Sequence, residues 1–299
     1  MSISYDAESR VFRLETQNTT YQMQIGPVGH LLHLYYGRPV QDALDYRLLP
    51  RDCGFSPNPY DLREHRGWPL DTLPQEYSSA DNGDFRCPSI ELRTASGIRG
   101  SDLRYAGHEI RKGKYTLEGL PCAFDRESGC ETLSVTLKDD ATEVAVELLY
   151  GVFPQQDVIT RAVRITNGGS ESIRLNRAAG ACLDLPFGSW ELMHFHGRHC
   201  MERQPERRPL IHGVQTISSN RGASSHQHNP FVILCAPDTT EDTGSCIGVM
   251  PVYSGGHFTD VELDQSGSVR LVTGISDAGF SWRMEPGETF TTPEVLFTY

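Results

Sequence analysis

Residues 143–150 read EVAVELLY. Val144, Val146, Leu148 and Tyr150 fall on one side of an extended chain, and Glu143, Ala145 and Glu147 fall on the other. Successive side chains of a strand point to opposite faces, so this alternation predicts a half-buried β-strand. The same period recurs in YQMQI (21–25), ETLSVTL (131–137), DVITRAVRI (157–165), SIRLNRA (172–178), DVELD (260–264) and SVRLVTGI (268–275). A helical pattern is confined to RPVQDALDYRLL (38–49), enough for a turn or two. Turn formers punctuate the runs: Asp81-Asn82-Gly83, Asp139-Asp140, Asn167-Gly168-Gly169 and Pro286-Gly287. Asn167-Gly168-Gly169 stands between two alternating runs and predicts a hairpin. Roughly fifteen or more strands at such spacing indicate an all-β sandwich of large sheets. No repeat or linker interrupts the pattern, and the expected organisation is one domain over residues 1–299.

The chain carries 27 Lys and Arg against 39 Asp and Glu, a formal charge of −12. That balance argues against nucleic acid or an anionic membrane as partner, since both reward positive charge. Neutral ligands such as sugars are compatible with it. The opening MSISYDAESRVFRLET lacks the basic start and apolar run of a signal peptide. No segment approaches the ~20 apolar residues of a membrane span. Eight cysteines are scattered without a CxxC pair. With no export signal, reduced thiols and a cytoplasmic location are expected.

Three groups of residues invite a chemical reading. In SSNRGASSHQHNPF (218–231), Ser224 and Ser225 adjoin His226, but a serine nucleophile needs a strained elbow such as GxSxG, which is absent. His194 and His196 share a strand face, as do His226 and His228, and two such pairs could assemble a metal site. No carboxylate stands at a companion spacing, so solvent-facing or hydrogen-bonded histidines are the favoured reading, with no metal or cofactor expected. Paired carboxylates would serve glycoside hydrolysis. Asp52, Asp61, Asp71, Glu76, Asp84 and Glu202 all lie in loop-like positions, without indication of which converge. Several fall in residues 50–84, a Pro-, Asp- and Arg-rich stretch too long for a simple connection. It is either a functional loop or a cover for a sheet edge.

Several stretches taken in order carry a resemblance: HLLHLYYGRPV (30–40), CGFSPNP (53–59), DTLPQEYSS (71–79), GDFRCPSIEL (83–92), SDLRYAGHEIRKGKYTLEGLP (101–121) and DVITRAVRITN (157–167). MERQPERRPLIHGVQTISSNRGASSHQHNPF (201–231), VYSGGHF (252–258) and PGETFTTPEV (286–295) complete them. Across essentially its whole length the chain resembles the N-terminal domain of glycoside hydrolase family 36 α-galactosidases. The resemblance implies a β-supersandwich of two large, mainly antiparallel sheets, galactose mutarotase-like and poor in helix. It places catalysis in a following (β/α)8 barrel, where two aspartates cleave terminal α-galactosides such as melibiose and raffinose with retention. The barrel's Lys-Trp-Asp-x-Asn and Asn-Asn-Trp-Glu motifs are absent, the three tryptophans standing in GWPL, SWEL and SWRM. The chain is therefore expected to be non-catalytic by itself.

The resemblance further implies docking onto its own barrel, assembly into a homo-oligomer (a tetramer in the family), and a loop that shapes a neighbouring subunit's galactose pocket. Asp52 matches the loop's aspartate, and Arg63, with Arg66 behind it, the arginine. Carboxylate and guanidinium groups suit sugar hydroxyls, although an Asp52–Arg63 bridge bracing the loop is the plainer alternative. His199 stands where the family usually has tryptophan, which removes a stacking face. SSNRGASSHQHNPF becomes a polar turn feeding the strand FVILCA, with Ser224, Ser225, His226 and Asn229 holding a loop. Two other functions remain open: a stand-alone galactoside-binding module, and a mutarotase-like epimerase using a His acid and a Glu base.

Overall fold

The computed structural model describes residues 2–48, 66–126 and 129–299. The chain opens with a four-stranded meander, β1 (Ile3–Asp6), β2 (Val11–Glu15), β3 (Thr20–Ile25) and β4 (Leu31–Gly37). A 3-10 turn, Asp45–Arg47, is all the helix that forms between 38 and 48. The backbone there is claimed from outside: Arg13 donates to the carbonyls of Val40 and Gln41, and Gln22 bonds the Asp42 carbonyl and the Leu44 N–H. With the carbonyls of Val40, Gln41 and Asp42 engaged by side chains, the helix is confined to the short turn that follows, where the Leu44 and Asp45 carbonyls accept from the Arg47 and Leu48 N–H groups.

The strands that follow are β5 (Ile90–Thr94), β6 (Arg104–Lys112), β7 (Glu131–Lys138), β8 (Val144–Phe153), β9 (Val158–Asn167) and β10 (Ile173–Leu185). Then come β11 (Glu191–Arg198), β12 (Met201–Pro209), β13 (Gly213–Ser219), β14 (His228–Cys235), β15 (Cys246–Val252), β16 (His257–Leu263) and β17 (Val269–Ile275). β18 (Trp282–Met284), β19 (Thr289–Thr291) and β20 (Glu294–Thr298) close the chain. A ten-stranded sheet runs β12-β11-β14-β15-β20-β9-β8-β7-β6, with β19 beside β9. A six-stranded sheet runs β13-β16-β17-β10-β18, with β5 also on β10. Every pairing between these named strands is antiparallel, so the all-β, mainly antiparallel expectation holds.

One continuous core lies between the sheets. The EVAVELLY run supplies Val144, Val146, Leu148 and Tyr150 to it, all essentially solvent-free. Facing them from β10 are Ile173, Leu175, Ala181 and Leu183, and Phe12, Leu14 and Tyr21 join from the meander. Each fully buried Val, Leu or Phe contributes about 1.5–3 kcal/mol, which is why the alternation fixes which face turns inward. Glu143 departs from the expected pattern: it lies just before β8 in the left-handed region, φ 56°.

Asn167-Gly168-Gly169 does not make a hairpin. β9 belongs to the ten-stranded sheet and β10 to the six-stranded one, so the turn carries the chain from one layer to the other. The Asn167 side chain holds it, donating to the carbonyls of Glu171 (2.8 Å) and Met284 (3.2 Å) while accepting from the Gly169 N–H (3.1 Å). A Cβ on Gly168 would meet the Glu143 carbonyl oxygen at 2.5 Å, and one on Gly169 the Thr142 carbonyl at 2.8 Å. Close backbone approach, rather than turn type, is the reason for the two glycines.

Candidate functional site

The segment that carries Asp52 and Arg63 lies outside the described residues, as does Asp61. Arg66, the alternative arginine, is exposed. The structure defines the chain on either side of this segment. Leu48 at its start and Leu70 and Leu73 after its end pack with Val11, Leu32 and Leu34, flanked by Tyr35 and Trp68. The described residues on either side of it in the chain are thus held on the meander by a small apolar cluster separate from the main core.

Beyond that cluster the chain is pinned by buried charge. Arg86 donates from Nη2 to the carbonyls of Leu70 and Leu73, both at 2.8 Å, and its Nε meets Asp84 Oδ1 at 2.9 Å. Arg270 on β17 reaches Asp84 Oδ2 at 2.8 Å and Asp184 of β10 at 2.7 Å. The Gln75 side chain donates to Asp84 Oδ2 (2.6 Å) and its backbone N–H to Asp184 Oδ2 (2.8 Å). Burial works to raise the Asp84 carboxyl, but the charges of Arg270 and Arg86 outweigh it, and the group titrates below its ordinary range. A carboxylate held ionised between two guanidinium groups is a poor general acid.

Glu76 is enclosed in the same way. Its oxygens accept from Tyr21 Oη (2.6 Å) and Tyr150 Oη (2.7 Å), His33 Nδ1 lies at 3.0 Å, and Arg161 Nη1 at 3.3 Å. Burial pushes this carboxyl up, and Arg161, His33 and Tyr21 together bring it below its ordinary value. Tyr21 and His33 come from the meander, Tyr150 and Arg161 from the ten-stranded sheet, so Glu76 ties two layers together. Two of the six candidate carboxylates are therefore structural. Of the others within the described residues, Asp71 is half-buried in a turn, and Glu202 lies exposed on β12, accepting from the Cys200 N–H at 3.0 Å.

The histidines give a different result. Pairing sets His196 opposite His228 across β11 and β14, and His194 opposite Glu206 across β11 and β12. Directly opposed residues share a face, so His194, His196, His228 and Glu206 line one pocket of about 370 Å3 with Gln204, Gln227 and Arg198. Glu206 Oε2 stands 3.6 Å from His194 Nε2 and 3.9 Å from His196 Nε2. The carboxylate missing from the sequence spacing is thus supplied by the neighbouring strand, which only the register reveals. His194 is neither solvent-facing nor hydrogen-bonded: it is buried, and neither ring nitrogen has a hydrogen-bond partner. Burial lowers its pKa, keeping the ring neutral. Among the described residues no three His, Cys, Asp or Glu side chains are placed to hold a metal ion.

His226 stands apart from this group, exposed in the turn before β14. Ser225 Oγ accepts from the Gln227 N–H (3.3 Å), Ser219 Oγ donates to the Ala223 carbonyl (2.8 Å), and Asn229 Nδ2 reaches the Phe195 carbonyl (3.4 Å). Ser224 contributes its backbone N–H to Ser254 (2.8 Å). The stretch 218–231 is a turn braced by its own polar groups. His199, in the connection of β11 to β12, is exposed.

The family described as Glycosyl hydrolase family 36 N-terminal domain matches residues 29–285. The chain belongs to this family. It is 46% identical over 299 residues to the bifunctional alpha-galactosidase/sucrose kinase AgaSK of Mediterraneibacter gnavus, covering all of this chain and 32% of that protein. It is 41% identical over 301 residues to alpha-galactosidase AgaA of Geobacillus stearothermophilus, again covering this chain entirely and 41% of the relative. In three dimensions it superimposes on the galactosidase domain of AgaSK with a TM-score of 0.96, covering 99% of this chain and 41% of that one. A solved structure of AgaA in complex with raffinose aligns at a TM-score of 0.93 and 41% identity, over 97% of this chain and 40% of that chain. The 299 residues thus correspond to the N-terminal part of family 36 enzymes and span 32% and 41% of the length of these two relatives. Among the described residues, no helix is long and apolar enough to cross a membrane.

Proposed function

We propose that the chain serves as the non-catalytic domain, residues 1–299, of an α-galactosidase acting on sugars such as melibiose and raffinose. It docks against a catalytic barrel, contributes to a homo-oligomer, and presents PRDCGFSPNPYDLR (50–63) to a neighbouring subunit's galactose pocket. The observation that carries this reading is coverage: the whole chain matches, while only 32–41% of each relative is matched. The buried clamp on both sides of the segment supports the last role, since a loop that reaches another subunit needs a rigid base. Asp52 and Arg63 are the residues proposed to grip sugar hydroxyls there. Phe85, Phe124, Ile211 and Trp282, each more than half exposed, are available for contact with the remainder of the enzyme.

The test uses the complete enzyme. Asp52→Ala or Arg63→Ala each removes a charge-assisted hydrogen bond of about 1.5–3 kcal/mol, so KM for melibiose should rise roughly ten- to a hundredfold while kcat changes less. An unchanged KM in both variants would sink the pocket-shaping role. The 299-residue chain alone should show no hydrolysis of an aryl α-galactoside and no calorimetric heat with melibiose. Measurable heat would favour the stand-alone binding module instead.

A further inference from the structure

Register brings two cysteines together that the sequence separates by a turn. Cys235, the last residue of β14, pairs directly with Cys246, the first of β15. One position further on, the Ala236 N–H donates to the Ser245 carbonyl at 2.9 Å. Hydrogen-bonded and non-hydrogen-bonded pairs alternate along an antiparallel ladder, so Cys235 and Cys246 form a pair of the second kind. Their Cα atoms are then about 4.5 Å apart, with both side chains on one face. That spacing lies inside the roughly 4.4–6.8 Å range that a disulfide spans. Leu234 and Ile247 point into the core from the adjacent positions, which puts the two sulfurs on the outer face of the sheet.

Both thiols are free. Cys235 is almost completely buried, and Cys246 is half-buried, so a reagent from solvent reaches Cys246 first. Arg207 of β12 lies over this corner. Its guanidinium donates to Glu191 Oε2 at 2.6 Å and to the carbonyls of Ala236, Pro237 and Thr239 at 3.0, 3.1 and 2.5 Å. From the other side, Tyr299 Oη donates to Ser245 Oγ at 2.9 Å. The hairpin end is thus held in place while the pair remains reduced.

We propose that Cys235 and Cys246 are a cross-strand dithiol that closes to a disulfide by exchange with a low-molecular-weight disulfide such as oxidised glutathione. The Cys246 thiolate attacks one sulfur of the reagent, forming a mixed disulfide and expelling one glutathione thiolate. Cys235 loses its proton to solvent, and its sulfur attacks Cys246 Sγ, expelling the second glutathione. Two protein thiols are oxidised and one small-molecule disulfide is reduced to two thiols. Burial raises the Cys235 thiol above its ordinary value. Closure staples the β14–β15 hairpin at its loop end, in the sheet that also carries the imidazole pocket.

The experiment exposes the folded chain to oxidised glutathione, blocks remaining thiols, and maps peptides by mass spectrometry. The wild type should yield a Cys235–Cys246 cross-link that dithiothreitol reverses, while exposed Cys200 reports ordinary glutathionylation. Cys235→Ser should stop at a glutathione adduct on Cys246, and Cys246→Ser should leave Cys235 unmodified. Circular dichroism checks that each variant is folded; if one is not, the wild-type map alone decides. A wild type that retains the adduct on Cys246 without a cross-link, or links either cysteine elsewhere, overturns the proposal.

Discussion

Arg270 grips Asp184 through a two-point fork, Nε to Oδ1 at 2.7 Å and Nη2 to Oδ2 at 2.7 Å, with both side chains out of solvent. The same guanidinium extends its third nitrogen to Asp84 at 2.8 Å. Residues from β10, β17 and the irregular stretch before β5 meet here in one charged lattice, which reaches the Leu70 and Leu73 carbonyls through Arg86.

Removing Arg270 takes the fork from buried Asp184 and, among the described residues, leaves Asp84 only Arg86 as an ion-pair partner. Arg270→Met is expected to destabilise the chain by about 3–5 kcal/mol, the usual cost of leaving buried charge unpaired. Arg270→Lys should recover little, since an ammonium group cannot reproduce the fork. Urea unfolding followed by circular dichroism measures both, and a lysine variant close to wild type would contradict this account.

Acid should weaken the fold through Glu76 and Asp84. Both carboxyls titrate lower in the folded chain than their ordinary 4.5 and 3.8. The unfolded chain then binds more protons as pH drops below those values. The stabilisation is complete above them and is lost as pH falls through the folded-state values. Glu76→Gln should be strongly destabilised at pH 7, and its deficit against wild type should shrink toward pH 3. Urea midpoints across that range would show a constant gap if Glu76 were not the titrating group.

His257 adds a second slope at higher pH. The ring is buried with neither nitrogen hydrogen-bonded, and burial, with a smaller effect from His228, lowers its pKa from 6.5 to about 4. Between those values the unfolded chain takes up a proton that the folded chain refuses, so stability falls as pH drops from 6.5 to 4. His257→Leu should flatten that portion of the stability profile and leave stability at pH 7 unchanged or up by about 1 kcal/mol, since no buried polar ring remains unsatisfied. Retention of the slope in the variant would point to other groups.

The interlayer turn gives a test of packing. Gly168→Ala and Gly169→Ala force a methyl against the carbonyls of Glu143 and Thr142, at 2.5 and 2.8 Å before relaxation. Each should cost about 1–3 kcal/mol, read as a lowered thermal midpoint. Were these residues serving only a hairpin turn type, alanine at the more extended position would be tolerated.

Much of the fold is legible from the period of side chains. The alternation in EVAVELLY sets which face of β8 is buried because turning the other way would place Val144, Val146 and Leu148 in water. The 38–49 pattern yields the single 3-10 turn Asp45–Arg47, because Arg13 and Gln22, distant in sequence, take the carbonyls of Val40, Gln41 and Asp42 before it. Asn167-Gly168-Gly169 carried a real turn signal, but the signal is local and says nothing of which sheet receives the next strand.

The sequence by itself determined the strand period, the antiparallel class and, through its ordered stretches, the family. Those depend on local alternation and on residue identity, which are written along the chain. Tertiary structure alone decided that Glu76 and Asp84 are braces, that Glu206 completes the face of His194, His196 and His228, and that Cys235 meets Cys246. Each is a matter of register and layer, set by which distant strands bury their apolar faces against one another. A one-residue slip would dissolve every one of them without changing a letter of the sequence.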